Sequence, residues 1–137
     1  MGYQALAEVL GIDEPEDDIE VIEIARHGLP SEVAEILANK LDISLNELGS
    51  YLHVSPRTLA RHRGKILNPD LSDRLLTVAR VYARCKDVFH TDERCLIWLK
   101  SKLMAIGNVR PIDLLDTNAG ADTVMTVLGR IEHGVYS

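Results

Sequence analysis

The sequence predicts an all-α protein, and three observations carry that reading. Apolar residues recur at three- and four-residue spacing along nearly the whole chain, while the alternation of a half-buried strand is scarce. Helix-starting residues such as Ser31, Ser44, Ser55 and Thr91 stand just before the apolar runs. Glycines fall where runs end, at Gly28, Gly107 and Gly134. With 137 residues, 46% of them hydrophobic, the chain suits one domain or two small ones sharing a core.

Residues 1–13 either make a short helix through Leu6, Val9 and Leu10 or stay loose. An acidic turn with Pro15 leads into an amphipathic helix from Ile19 to Arg26, stopped by Gly28 and Pro30. Ser31 is expected to cap the next helix, where Val33, Ile36, Leu37 and Leu41 share a face. After the Asn68-Pro69 punctuation, Leu71 or Ser72 opens a long helix to about Val88. One of its stripes is Leu75, Val78, Tyr82, Cys85 and Phe89; a second is Leu76, Ala79 and Ala83, facing the core or a partner. Thr91 caps a helix with Asp92 and Glu93 in its first turn and Leu96, Leu99, Leu103 and Trp98 turned inward. Gly107-Asn108 turns, Pro111 starts a short helical segment, and Asp116 or Thr117 caps a last helix with Val124, Val127, Leu128 and Ile131 on its core face.

The segment 44–65, SLNELGSYLHVSPRTLARHRGK, reads as a helix-turn-helix. Ser44 and Glu47 make an S-x-x-E capping box, and Leu45, Leu48 and Leu52 line one face of the first helix. His53-Val54-Ser55 forms the turn. His53 stands where glycine is common, and histidine is among the residues that tolerate a left-handed backbone. Ser55 caps and Pro56 opens the second helix, with Leu59 facing the core. Arg57 and Thr58 lie in the first turn, where side chains reach base edges, and Arg61 follows on the same face. Arg63 and Lys65 suit phosphate contact near the helix end; Ser55 and His62 complete the candidate DNA-contact set.

Charge is unevenly spread over a chain of net charge −6. Residues 1–52 hold 12 acids and 2 bases, whereas residues 53–100 hold 10 bases and 5 acids. From His53 to Leu67 there are four bases and no acid. The acidic total argues against a general nucleic-acid coat, while the local basic helix suits a specific, dimer-dependent reader. A palindromic operator requires a two-fold protein, so a homodimer is expected.

No enzyme is expected: nucleophile elbow, phosphate loop and dinucleotide fingerprint are missing from the sequence. The five histidines have no metal-ligand spacing with cysteines or acids, so neither metal nor cofactor is expected. Cys85 and Cys95 read as buried free thiols, with a redox pair as the sharper alternative. No apolar run approaches a membrane span, and the start lacks a signal-peptide pattern, so a cytoplasmic protein is expected.

Three segments carry a resemblance: TLARHRG at 58–64, LSDRLLTVARVYARCKDVF at 71–89, and RPIDLLDTNAGADTVMTVLGRIEHGVYS at 110–137. Together they resemble the Xre-type antitoxins of RES–Xre toxin–antitoxin pairs, and the C-terminal part resembles the toxin-binding domain shared with MbcA- and ParS-type antitoxins. The resemblance covers roughly residues 17–137. It implies two parts, residues 1–67 with the helix-turn-helix and residues 68–137 binding toxin. It also implies a non-enzymatic protein that covers the active-site entrance of a RES-domain, NAD-consuming toxin within a hetero-oligomer, and represses its own operon. The family usually has a glycine-rich turn before its Pro-x-Asp-Leu-Leu segment; here 105–110 carries only Gly107.

The tail suits such a role. Arg130, Glu132 and His133 are placed on the exposed side of the last helical turn, able to hydrogen-bond a polar cleft. Val135, Tyr136 and Ser137 project past Gly134, and the terminal carboxylate is placed to stand where a substrate phosphate would. Two other readings remain: a pure protein-interaction module and a stand-alone helix-turn-helix regulator.

Overall fold

Asn68 and Pro69 start the longest helix among the described residues, two to three residues before the Leu71 or Ser72 start that the sequence suggests. Asn68 is extended, its side chain accepts from the Leu71 amide, and Pro69 takes the first helical position. Proline pushes the residue before it out of the α region, which is the backbone an N-cap needs.

The computed structural model describes residues 2–134. Eight helices follow in order: α1 Gln4–Leu10, α2 Asp18–His27, α3 Glu32–Leu41, α4 Leu45–Leu52, α5 Pro56–Arg61, α6 Pro69–Phe89, α7 Asp92–Leu99 and α8 Asn118–Glu132. Single turns of 3-10 helix occupy Met104–Ile106 and Pro111–Leu114. The all-α expectation holds, with two isolated bridges, Pro30 to Ile66 and Leu103 to Val109, as the extended pairings among the described residues.

The first segment does form a helix, because Leu6, Val9 and Leu10 bury against α6 and α3. Asp17 caps α2, accepting from the Glu20 amide. Ser31 does not cap α3 as its position suggests. Its backbone is already helical, and its hydroxyl accepts from the Gly64 amide 33 residues away. Ile36 also departs from expectation, being exposed at the edge of an otherwise buried face.

Helix α6 is the spine. It packs against α1, α2, α7 and α8 and also touches α3 and α4. Leu75, Val78, Ala79, Tyr82 and Cys85 are buried almost completely, and Leu76 and Ala83 nearly so. Of the two alternatives for these stripes, core or partner, the chain's own helices cover both, with Phe89 half-buried at the end of the first. Ser72 is buried on this spine and satisfied, accepting from the Leu29 amide and donating to the Leu67 carbonyl. Cys85 and Cys95 are both buried and free, the Cys85 thiol donating to the Cys95 carbonyl; hydrogen bonding with Cys95, and then burial, push the Cys85 thiol's pKa up.

Candidate DNA and toxin interfaces

The helix-turn-helix assembles as the sequence reads, with two corrections. Ser44 caps α4 by accepting from the Glu47 amide at 3.0 Å. The reciprocal half of the capping box is absent, because the Glu47 carboxylate accepts from the Tyr51 hydroxyl at 2.9 Å instead. That bond and burial together hold the Tyr51 pKa well above the usual phenol range, burial being the larger cause. Leu48, Leu52 and Leu59 seal the angle between α4 and α5. The turn closes tightly: a Cβ on Gly49 would lie 2.7 Å from the Val54 carbonyl, so only glycine fits there. His53 takes the left-handed backbone, at φ 61°.

Ser55 caps α5, its hydroxyl accepting from the Thr58 amide at 3.1 Å and pairing with the Thr58 hydroxyl at 3.1 Å. Thr58 in turn accepts from the Arg61 guanidinium at 3.4 Å, and the His62 ring donates to the Thr58 carbonyl at 2.8 Å. Arg57 and Arg61 are exposed, and neither makes an ion pair among the described residues.

The second correction concerns length. Helix α5 closes at Arg61, so Arg63 and Lys65 leave from the connection to α6 rather than from the helix end. The reason is Gly64, whose φ of 76° and bond to Ser31 bend the chain back toward α3. Arg63 lies 4.0 Å from the Glu35 carboxylate, and Lys65 is exposed while its carbonyl accepts from the Ser31 amide.

The C-terminal half is built on α7, Pro111–Leu114 and α8. Thr91 and Thr117 cap the two helices through the Arg94 and Gly120 amides. A Cβ on Gly120 would overlap the Leu114 carbonyl oxygen, so the 3-10 turn lies directly on α8 there. The turn before Pro111 needs two left-handed residues, Gly107 at φ 90° and Asn108 at φ 59°; asparagine supplies the second in place of glycine. Arg110 donates two bonds to Asp113, at 2.9 and 2.8 Å, which holds the Asp113 pKa below the usual carboxylate range and raises that of Arg110.

The candidate toxin-contacting residues fall into three groups. Arg130 is exposed on α8, and His133 is exposed at its C-terminal cap. Glu132 is already engaged inside the chain, taking two bonds from Arg84 of α6. Val135, Tyr136 and Ser137 lie outside the described residues. The helix ends at Glu132 and Gly134 has φ 70°, as a helix stop requires.

Sequence reasoning missed several residues. Ile97 and Met104 are 62% and 88% exposed on the C-terminal half. Leu96-Ile97-Trp98-Leu99 is apolar all round, so one side of α7 has to face outward; that was the available signal. Arg84 was missed because its partner, Glu132, is 48 residues away, and Arg110 because its pairing with Asp113 depends on the 3-10 turn that brings them together.

With this geometry in place, comparison with known proteins divides the chain at the same spine. Residues 20–80 match the antitoxin Xre-like helix-turn-helix domain, and residues 86–134 match the antitoxin Xre/MbcA/ParS C-terminal toxin-binding domain. An Antitoxin Xre from Photorhabdus laumondii is 30% identical over 118 residues, covering 83% of this chain and 79% of that protein. An Antitoxin Xre from Yersinia enterocolitica is 33% identical over 88 residues, 61% of this chain and 59% of its relative. A protein named Prs ADP-ribosylating antitoxin, from Sphingobium, is 32% identical over 80 residues, 52% of this chain and 50% of its own length. Two adjoining domain matches, together with a 30% identical Antitoxin Xre aligned over most of both chains, make this chain a member of the Xre antitoxin family, with a helix-turn-helix and a C-terminal toxin-binding domain.

Proposed function

We propose that the chain is a non-enzymatic antitoxin that neutralises a RES-domain, NAD-consuming toxin and represses its own operon. The toxin-binding part is assigned to residues 68–137 and the DNA-reading part to residues 1–67, with α6 serving both. The observation that carries the proposal is the pairing of an exposed basic α5, free of acids from His53 to Leu67, with a toxin-binding domain whose last helix ends in exposed polar residues. The name of the Sphingobium relative joins an antitoxin to ADP-ribosylation, a chemistry that draws ADP-ribose from NAD, and this supports an NAD-using partner.

In this reading Arg57, Thr58 and Arg61 read base edges of an operator, while Ser55, His62, Arg63 and Lys65 support or grip the backbone. The protein acts as a homodimer on DNA and within a toxin hetero-oligomer, in the cytoplasm. No helix among the described residues is long and apolar enough to cross a membrane. Arg130, His133 and the tail 135–137 enter the toxin's cleft, with Glu132 holding the last turn in place.

The test is co-expression with a candidate toxin of RES type. The full protein restores growth and co-purifies with the toxin. The chain lacking its last four residues keeps its helical content but fails to neutralise. Full neutralisation by the truncated chain overturns the cleft-covering role. The net charge of −6 favours one rival reading, a protein-interaction module whose arginines meet the toxin; flat salt dependence of DNA binding would favour it.

A further inference from the structure

His53 stands at the sharpest point of the helix-turn-helix, with a backbone that glycine adopts at lower strain. Its ring spans 63 positions of sequence, Nε2 lying 2.6 Å from the main-chain carbonyl of Asp116. A carbonyl only accepts, so Nε2 carries the hydrogen, and the bond forms with a neutral or a protonated ring. Asp116 immediately precedes Thr117, the cap of α8. Two further contacts tie the same seam. Arg74 of α6 donates to the carbonyl of Leu52, the last residue of α4, at 3.0 Å, and Arg110 stands 3.9 Å from the Glu47 carboxylate. Between them is a cleft of about 250 Å³ bordered by Tyr51, Arg74, Thr77, Leu115 and Asn118.

Burial does not explain a histidine at this position, since the residue is exposed. Glycine would serve the turn alone but would leave it unconnected to the loop before α8. A strained backbone held by a bond across a seam points to function. Helix α5 starts three residues later, is six residues long and buries Leu59 alone among its residues, so its own packing is a weak hold on its angle.

We propose that His53 is a positioning residue for DNA reading. It fixes the angle of α5 from the loop that opens α8, so operator discrimination depends on the toxin-binding half of the chain. This rests on the DNA-reading role proposed above. Linkage makes the dependence reciprocal: a partner that displaces residues 115–118 also shifts α5.

His53→Gly keeps the left-handed turn and removes the ring. His53→Asn also tolerates that backbone, is too short to reach Asp116, and controls for glycine flexibility. The experiment compares wild type and both variants on the duplex upstream of the chain's own reading frame and on a scrambled duplex, by fluorescence anisotropy. Thermal melts and hydrogen exchange of amides 54–61 run beside it. Expected are a melting temperature at or above wild type for His53→Gly, unchanged affinity for scrambled DNA, and about five- to tenfold weaker binding to the upstream duplex for both variants. Amides 54–61 exchange faster in both. Wild-type discrimination and wild-type exchange in both variants overturn the proposal. If wild type itself does not discriminate, the DNA-reading role falls, and unchanged protection at 54–61 then overturns the positioning role separately.

Discussion

The guanidinium of Arg84 donates two hydrogen bonds, of 2.9 and 2.6 Å, to the two carboxylate oxygens of Glu132, tying α6 to the last residue of α8. The pairing lowers the Glu132 pKa and raises that of Arg84. It anchors the last turn of α8 to α6.

Breaking that pair should loosen the last turn of α8 without unfolding the protein. Arg84→Ala and Glu132→Gln are both expected to speed amide exchange in the last turn of α8 and to weaken toxin binding several-fold, with helical content unchanged. Exchange and calorimetric titration with the toxin check this. If Glu132 instead touches the toxin directly, Glu132→Gln abolishes binding and Arg84→Ala leaves it intact.

If α5 reads an operator as proposed, the basic residues divide into two kinds of DNA contact. Arg57→Ala or Arg61→Ala should weaken operator binding by about 1–3 kcal/mol and blur base preference, whereas Lys65→Ala should weaken all sequences alike and flatten the salt slope. Electrophoretic shifts on operator and scrambled duplex over a salt series separate them. Equal losses on both duplexes for Arg57→Ala count against base readout.

Two glycines of α8 should respond oppositely to the same methyl group. Gly120→Ala drives a Cβ into the Leu114 carbonyl and should destabilise by about 1–3 kcal/mol. Gly129→Ala meets nothing within 4 Å and should stabilise by about 0.5–1 kcal/mol through helix propensity. Urea melts of both variants are the measurement.

Acid should weaken the fold in a window set by paired carboxylates. Hydrogen bonds from Arg110, Tyr82 and Arg84 lower the pKa values of Asp113, Asp92 and Glu132 respectively. A carboxylate with a lowered folded value stabilises above its unfolded value, about 4, and loses that contribution as pH falls through the folded one. Asp87, raised by burial, has the opposite sign. Three groups against one leave stability falling below about pH 4. The deficit of Arg110→Ala at pH 7 should shrink at the acid end of that window, once Asp113 is protonated; denaturant melts from pH 7 to 2 test it.

Local rules were readable in the chain. Ser44, Ser55, Thr91 and Thr117 each cap the helix that follows. Their partners lie three residues away, within the reach of sequence pattern. The pattern failed where a distant group competes: Ser31 leaves its helix for Gly64, and Glu47 takes Tyr51 in place of its own cap. The contacts that join distant elements beside the two candidate interfaces, His53 with Asp116 and Arg84 with Glu132, are 63 and 48 residues apart, and no periodicity encodes them. The start of α6 was expected at Leu71 or Ser72 and lies at Pro69, because the Asn68 side chain supplies the cap and proline fits the first helical position.

A single helix of 21 residues serves as the backbone of both matched regions, the first ending at residue 80 and the second beginning at residue 86. Recombination between genes of this kind therefore has nowhere to cut inside 69–89 without pairing faces that were not shaped for each other. Exchanging one specificity requires carrying the spine along with it. Target site and adversary are for that reason expected to be inherited together, and laboratory chimaeras that join foreign halves within this helix should come out insoluble.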